Sequence, residues 1–199
     1  MLVVPSYLVG TFPTGQLVGR RAGFDPTAEG SGNPGATNVA RVAGRNAGVV
    51  VLLVDLCKGA LPAAVGLAVG GTMLGLACGA AAVLGHVAPV TRRFRGGKGV
   101  ATASGTAIVV YPALSLAVGA VFVLTALLTH RVSLASIAMA VALPVVLALG
   151  GRPASEIVLA SVVSLCVIAR HHENISRLLR RQEPAFRMSR APSHPRDEP

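Results

Sequence analysis

Apolar runs long enough to cross a bilayer recur along this chain, separated by polar breaks of very different length. The first run, roughly Leu2 to Val18, contains Pro5 and Pro13, which a packed membrane helix can absorb. A polar stretch from Arg20 to Asn46 follows, rich in glycine, asparagine and arginine and too long for a tight turn. A second run covers about Ala47 to Val69, Gly70-Gly71 turns the chain, and a third continues to about Pro89. Beyond a glycine-lysine stretch, Val100 to Leu128 exceeds one comfortable span. Tyr111-Pro112 divides it into a short fourth helix and a fifth from about Ala113. Thr129-His130-Arg131 is a polar hinge before a sixth run, about Leu134 to Leu149. Gly150-Gly151-Arg152-Pro153 then turns into a seventh, from about Ser155 into Arg177. The pattern predicts an all-α polytopic membrane protein with about seven transmembrane helices over residues 1–177, and a basic, disordered tail over residues 178–199.

Composition agrees with that class, since 52% of the residues are hydrophobic. The net charge of +10 raises the question of nucleic acid, but the cations lie in short loops and the tail rather than on one globular face. They report topology, and no nucleic acid is expected. Arg20, Arg21, Arg41, Arg45, Arg92, Arg93, Arg95, Lys98, Arg131 and everything basic from Arg170 onward fall on one side, leaving only Arg152 on the other. The positive-inside bias then places the N-terminus outside and the C-terminus in the cytoplasm. The first run has no basic region before it, so it reads as a retained span rather than a cleaved signal. Cys57, Cys78 and Cys166 each stand alone in apolar segments, with neither metal-ligand spacing nor a disulfide framework.

This topology collects every polar, chemistry-bearing stretch on the cytoplasmic face: Ser31 to Arg41, His86 to Thr102, His130 to Ser136, and Arg170 to Asn174. One shared site accounts for that placement economically. Its centre is Gly96-Gly97-Lys98-Gly99-Val100-Ala101-Thr102. Turned glycine backbone can aim several N–H groups at one anion, Lys98 adds a mobile charge, and the following apolar run offers a helix N-terminus. The stretch reads as a phosphate cradle at a membrane face. It is not an NTPase P-loop, because Arg92 and Gly99 occupy positions that need Gly and Ser or Thr. The plainer alternative is a basic loop with ordinary glycine turns.

In Gly30-Ser31-Gly32-Asn33-Pro34-Gly35-Ala36-Thr37-Asn38, the side chains of Ser31, Thr37 and Asn38 supply hydrogen-bond donors, and Arg41 can fork onto a phosphate. A capped turn explains the same residues without a ligand. His86 is either a site residue or an interfacial polar tip, and Ser133 either a ligand group or an N-cap. His171 and Asn174 stand three apart at the end of the last helix, so they share a face, with His171 a candidate proton acceptor. Asp55 and Lys58, inside the second run, are costly there unless partnered. They read as a structural pair that braces the site, with a direct role in it as the alternative.

With these stretches in view, the sequence resembles the bacterial glycerol-3-phosphate acyltransferases that use acyl phosphate as donor, the PlsY family. The likeness is carried by Ser31 through Asn38 with Arg41, by Gly85-His86 through Thr102, and by Arg170-His171-His172-Glu173-Asn174-Ile175. It implies a seven-helix enzyme of the bacterial inner membrane, with its site facing the cytoplasm. That enzyme acylates C1 of sn-glycerol 3-phosphate from acyl phosphate, releasing phosphate and lysophosphatidic acid. It also implies that no cofactor and no metal are needed, because the donor is already activated, and that the chain works as a monomer among membrane lipid. Carried over by motif, Lys98, His171 and Asn174 are the catalytic residues. Ser31, Thr37, Asn38, Arg41, His86, Gly96, Gly97, Gly99, Thr102 and Ser133 bind the two substrates. No histidine here is followed five residues later by aspartate, as another acyltransferase class requires, and no aspartate array suits an alcohol phosphatidyltransferase. The remaining alternatives are a small anion transporter or an inactive homologue. Truncation after Arg181 is expected to spare activity.

Overall fold

The structure, a computed structural model, describes residues 1–186. These residues are helical throughout, without a strand among them. They form two compact units, one of residues 1–12 with 55–185, the other of residues 13–54 with Phe186.

The first expected span breaks in two, into α1 (Val3–Gly10) and α2 (Thr14–Arg21). Pro5 lies in the first turn of α1, where no N–H is required, whereas Pro13 has no N–H to give and itself takes non-helical backbone ahead of α2. The polar break is also not bare loop. It holds α3 (Ala36–Ala43), which starts after extended Gly35 and stops at left-handed Gly44, with Val39 and Ala40 buried. Eight residues are too few for a periodic signal to stand out.

Helix α4 runs Arg45–Val87 with non-helical backbone at Gly70 and Gly71, the latter at φ 73°. The expected Gly-Gly turn is therefore present and separates a limb of residues 45–69 from one of residues 72–87. In the larger unit the limbs pack through small residues, Gly66 beside Leu74 and Gly75 beside Ala63 and Leu67. A 3-10 turn (Val90–Arg92) follows, then α5 (Val100–Val110), α6 (Pro112–Thr129), α7 (Val132–Leu149), α8 (Ala154–Ala169) and α9 (His172–Leu179). Helix α5 approaches the first limb so closely that a Cβ on Gly105 would strike the Leu56 carbonyl and one on Gly59 the Thr102 carbonyl.

Tyr111-Pro112 divides α5 from α6 as expected, and the break is held by polar bonds. The buried Glu156 carboxylate accepts from the Tyr111 hydroxyl at 2.6 Å and from Arg152 Nε at 2.9 Å. Beside this lock, Leu76, Tyr111, Leu147 and Ala160 form a buried apolar cluster. Elsewhere the usual arrangement is inverted, with Leu116, Leu127, Leu128 and Leu165 exposed on helix surfaces, as in a bundle solvated by lipid.

Among the described residues, three helices are long and apolar enough to cross a bilayer, α4 (continued through Arg92), α6 and α7, or four if α8 and α9 count together. Helix α5 rises only about 16 Å at 1.5 Å per residue, and α1 less. The seventh expected span is not one rod to Arg177. It bends by 61° between α8 and α9. Order also passes the expected tail boundary at residue 178, because α9 ends at Leu179 and Glu183 is buried. The rest of that tail, residues 187–199, lies outside the described residues.

Candidate active site

The glycine loop is shaped from both ends. Arg93 and Phe94 take left-handed backbone after the 3-10 turn, and Gly99, at φ 82°, sets the start of α5. The Gly97 N–H donates to the His86 carbonyl at 3.1 Å. A Cβ on Gly97 would strike the His86 ring, which only glycine avoids. Arg170, at the α8–α9 corner, forks onto the loop, donating through Nη2 to Gly96 O at 3.0 Å and through Nε to Gly97 O at 3.3 Å. The two carbonyls are thus turned inward, and Lys98 is presented from a fixed backbone.

The Lys98 ammonium donates to Asn174 Oδ1, and Asn174 Nδ2 donates to Glu183 Oε1 at 2.7 Å. Arg177 Nε donates to the other Glu183 oxygen at 2.7 Å, and the Ser133 hydroxyl, at the start of α7, also acts on this carboxylate. Burial pushes the Glu183 carboxyl up, but the nearby Ser133 hydroxyl and the bonds from Arg177 and Asn174 outweigh it and hold it below the ordinary range. Burial lowers Lys98 to about 8, opposed by Glu183 and Glu173 and assisted by Arg177 and Arg170. His171, 2% exposed, is the residue before α9 rather than part of a straight helix end. Its Nδ1 lies 2.7 Å from the Val167 carbonyl, which can only accept, so Nδ1 carries the proton and Nε2 is left as an acceptor. His171 and Asn174 stand at the N-cap and in the first turn of α9, past the bend, at the i,i+3 spacing of one helix.

Several sequence-assigned residues do different work. His86 is buried in the second limb of α4 with Nδ1 at 3.2 Å from Lys58 Nζ. That ammonium also meets Asp55 Oδ1 at 2.7 Å and the Phe12 carbonyl at 2.9 Å. Lys58 is thus held by three neighbours, and His86 braces Gly97 rather than facing outward. Thr102 is fully buried in the first turn of α5, its hydroxyl without a partner and its carbonyl against Gly59. Its place is the helix crossing. Ser133 is buried beside Glu183. Gly96, Gly97 and Gly99 shape the loop, and the Gly97 N–H is taken by the His86 carbonyl.

Ser31, Thr37, Asn38 and Arg41 belong to the smaller unit. Asn38, 1% exposed, donates to the carbonyls of Pro26 at 3.1 Å and Glu29 at 2.9 Å and accepts from the Ser31 N–H at 2.7 Å. Its amide folds the loop and is not spare for a ligand. Thr37 and Arg41 are half-buried on α3, and Arg41, in the last turn, complements the helix dipole. Sequence reasoning missed Arg170, Arg177 and Glu183. Arg170 stands inside a recognised motif, but nothing in the spacing assigns its fork. Glu183 lies in a Pro- and Arg-rich stretch without periodicity.

The Asp55–Lys58 pair gives a test of bracing. Asp55→Asn leaves a buried ammonium without its counter-charge and is expected to cost about 3–5 kcal/mol of stability. A double exchange of Asp55 and Lys58 for leucine should recover much of that loss in thermal unfolding. A double variant no more stable than Asp55→Asn would show the pair is not a self-contained brace.

Lipid-facing helices around a glycine loop, a half-buried lysine and a buried histidine define the class, an integral membrane protein with a polar, cation-bearing cluster at one helix corner. A family model described as glycerol-3-phosphate acyltransferase matches residues 1–181. The glycerol-3-phosphate acyltransferase of Rubrobacter xylanophilus is 41% identical over 187 residues, covering 94% of each chain. Two crystal structures of PlsY, an integral membrane glycerol 3-phosphate acyltransferase, superpose on 94% of this chain and 94% of theirs at 39% identity. The glycerol 3-phosphate form has a TM-score of 0.90 and the lysophosphatidic acid form 0.87. The chain belongs to the glycerol-3-phosphate acyltransferase family.

Proposed function

We propose that this protein transfers an acyl group from acyl phosphate to the C1 hydroxyl of sn-glycerol 3-phosphate. The observation that carries the reading is the Lys98–Asn174–His171 cluster on the clamped glycine loop, a cation for phosphate beside an imidazole with a free Nε2. An acyl phosphate needs no enzyme nucleophile. The C1 oxygen bonds to the acyl carbon, the acyl–phosphate C–O bond breaks, and inorganic phosphate leaves. The hydroxyl proton passes to His171 Nε2 or to a substrate phosphate. Lys98 offsets charge on the departing phosphate. Ser31, Thr37 and Arg41 are assigned to substrate binding through the motif they share with the family resemblance, with Asn38 holding their loop. An apolar pocket bordered by Leu76, Val83, Ala107, Leu143, Leu147 and Val163 supports a place for the acyl chain.

The topology proposed with it counts seven membrane segments: the broken first one, the two limbs of α4, then α5, α6, α7 and α8. The amino end is outside and the site faces the cytoplasm of the bacterial inner membrane, as the one-sided basic loops support. A monomer suffices for this chemistry.

The test offers purified protein labelled glycerol 3-phosphate with palmitoyl phosphate, palmitoyl-CoA or palmitoyl carrier protein. Lysophosphatidic acid formed from acyl phosphate alone is the expected result. Product from the thioesters alone overturns the donor assignment. Folded protein inert with all three brings the transporter reading forward.

A further inference from the structure

Glu183 is the one carboxylate buried at this site among the described residues, yet it comes from an extended stretch after α9 that carries no recognisable motif. A buried carboxylate is costly unless its oxygens are met, and here Asn174 Nδ2 meets one and Arg177 Nε the other. The Asn174 amide stands between Glu183 and Lys98 and its direction is forced. A carboxylate only accepts and an ammonium only donates, so the amide NH₂ points to Glu183 and its oxygen to Lys98. Interposing a neutral amide has an electrostatic consequence. A direct Glu–Lys ion pair would neutralise the cation, whereas one amide away the carboxylate holds the ammonium in place and leaves its charge for an incoming phosphate.

We propose that Glu183 is a positioning residue of the acyl-transfer site, acting through Asn174 to fix the Lys98 ammonium. The inference rests on the reading that Lys98 and Asn174 serve the reaction. Arg177, with Glu183 Oε2 on Nε and Glu173 4.0 Å from Nη1, keeps the carboxylate aimed inward. Through Asn174 and Arg177 this one carboxylate joins the glycine-loop lysine to α9. The charged groups facing Lys98 are Glu183, Glu173, Arg177 and Arg170, with the His171 ring also close enough to feel its charge.

The experiment compares Glu183→Gln and Glu183→Asp with wild type, using palmitoyl phosphate and glycerol 3-phosphate across pH. Gel filtration and thermal unfolding report folding. In Glu183→Gln the side-chain amide presents either end to Asn174, so the relay loses its fixed direction. kcat/KM should fall about 10- to 100-fold, the scale of a small displacement of a reacting group. The alkaline limb of kcat/KM should also move to lower pH, since Glu183 is what raises Lys98 most. A purely structural glutamate would not move that limb. Glu183→Asp keeps the charge, so it should retain the wild-type limb while losing rate, and it carries the test if Glu183→Gln does not fold. Lys98→Ala and Asn174→Ala run alongside. If both are inactive while folded Glu183→Gln matches wild type in rate and limb, the positioning role is overturned and the site stands. If Lys98→Ala and Asn174→Ala are themselves fully active, the underlying site reading fails instead.

Discussion

Replacing Lys98 by alanine lowers kcat/KM for acyl transfer about 1,000-fold, on the order of 4 kcal/mol, in a protein that elutes and unfolds like wild type. The magnitude follows from placement. Lys98 is partly buried on a loop whose carbonyls Arg170 and whose Gly97 N–H the His86 carbonyl hold, and its one direct side-chain bond among the described residues is to an uncharged amide. A positive charge held ready, without a directly paired anion, matters most when a phosphate arrives. The same burial lowers its pKa to about 8, so pH gives a second signature. Below that value the group is charged and binds anion. As pH rises through about 8 the free enzyme loses the charge, and kcat/KM falls. Bound phosphate favours the protonated form, so kcat holds to higher pH than kcat/KM. For folding the sign is opposite to that of a stabilised lysine. Between about 8 and the usual 10.5, the folded protein binds fewer protons here than the unfolded chain, so this group's contribution to stability rises with pH. Near-normal turnover in well-folded Lys98→Ala would falsify the anion cradle.

The second large effect separates two cut points five residues apart. A chain ending at residue 186 keeps its activity, because every side chain that meets Lys98, Asn174 and Arg177 is retained. A chain ending at Arg181 loses Glu183, leaving the buried Asn174 amide NH₂ without its acceptor and Arg177 without its strongest ion pair. Activity should drop by two orders of magnitude or more, about 3 kcal/mol, and thermal stability should fall with it. Equal activity of both truncations would mean that Glu183 has no part in the site. This reverses the expectation from sequence, in which Arg181 looked like a harmless boundary.

What was legible and what was not divides along physical lines. The turn at Gly70-Gly71 and the division at Tyr111-Pro112 were readable because each rests on a local backbone property, a positive φ at Gly71 and a proline at N1. The break at Pro13 uses the same property but was assigned the other way, because whether a helix absorbs a proline depends on neighbours the sequence does not display. Helix α3 went unseen because eight residues give too little period, and the seventh rod was drawn too long because nothing at Arg170-His171 is a glycine or proline.

Apolar run length, glycine and proline placement and the one-sided arginines determined by themselves that this is a helical membrane protein with a lysine-bearing glycine loop. Those are properties of single segments, and the motifs were sufficient to carry the family. Which polar groups touch was decided only by tertiary structure. Asn38 closes its own loop, Thr102 is sealed into a helix crossing, and His86 turns to Lys58. A glutamate from beyond the last motif reaches Asn174. Each of these depends on where a donor finds its acceptor once water is excluded. That is set by how the chain folds back on itself, over nine residues for Glu183 and Asn174 and 28 for His86 and Lys58, and no periodic pattern encodes it.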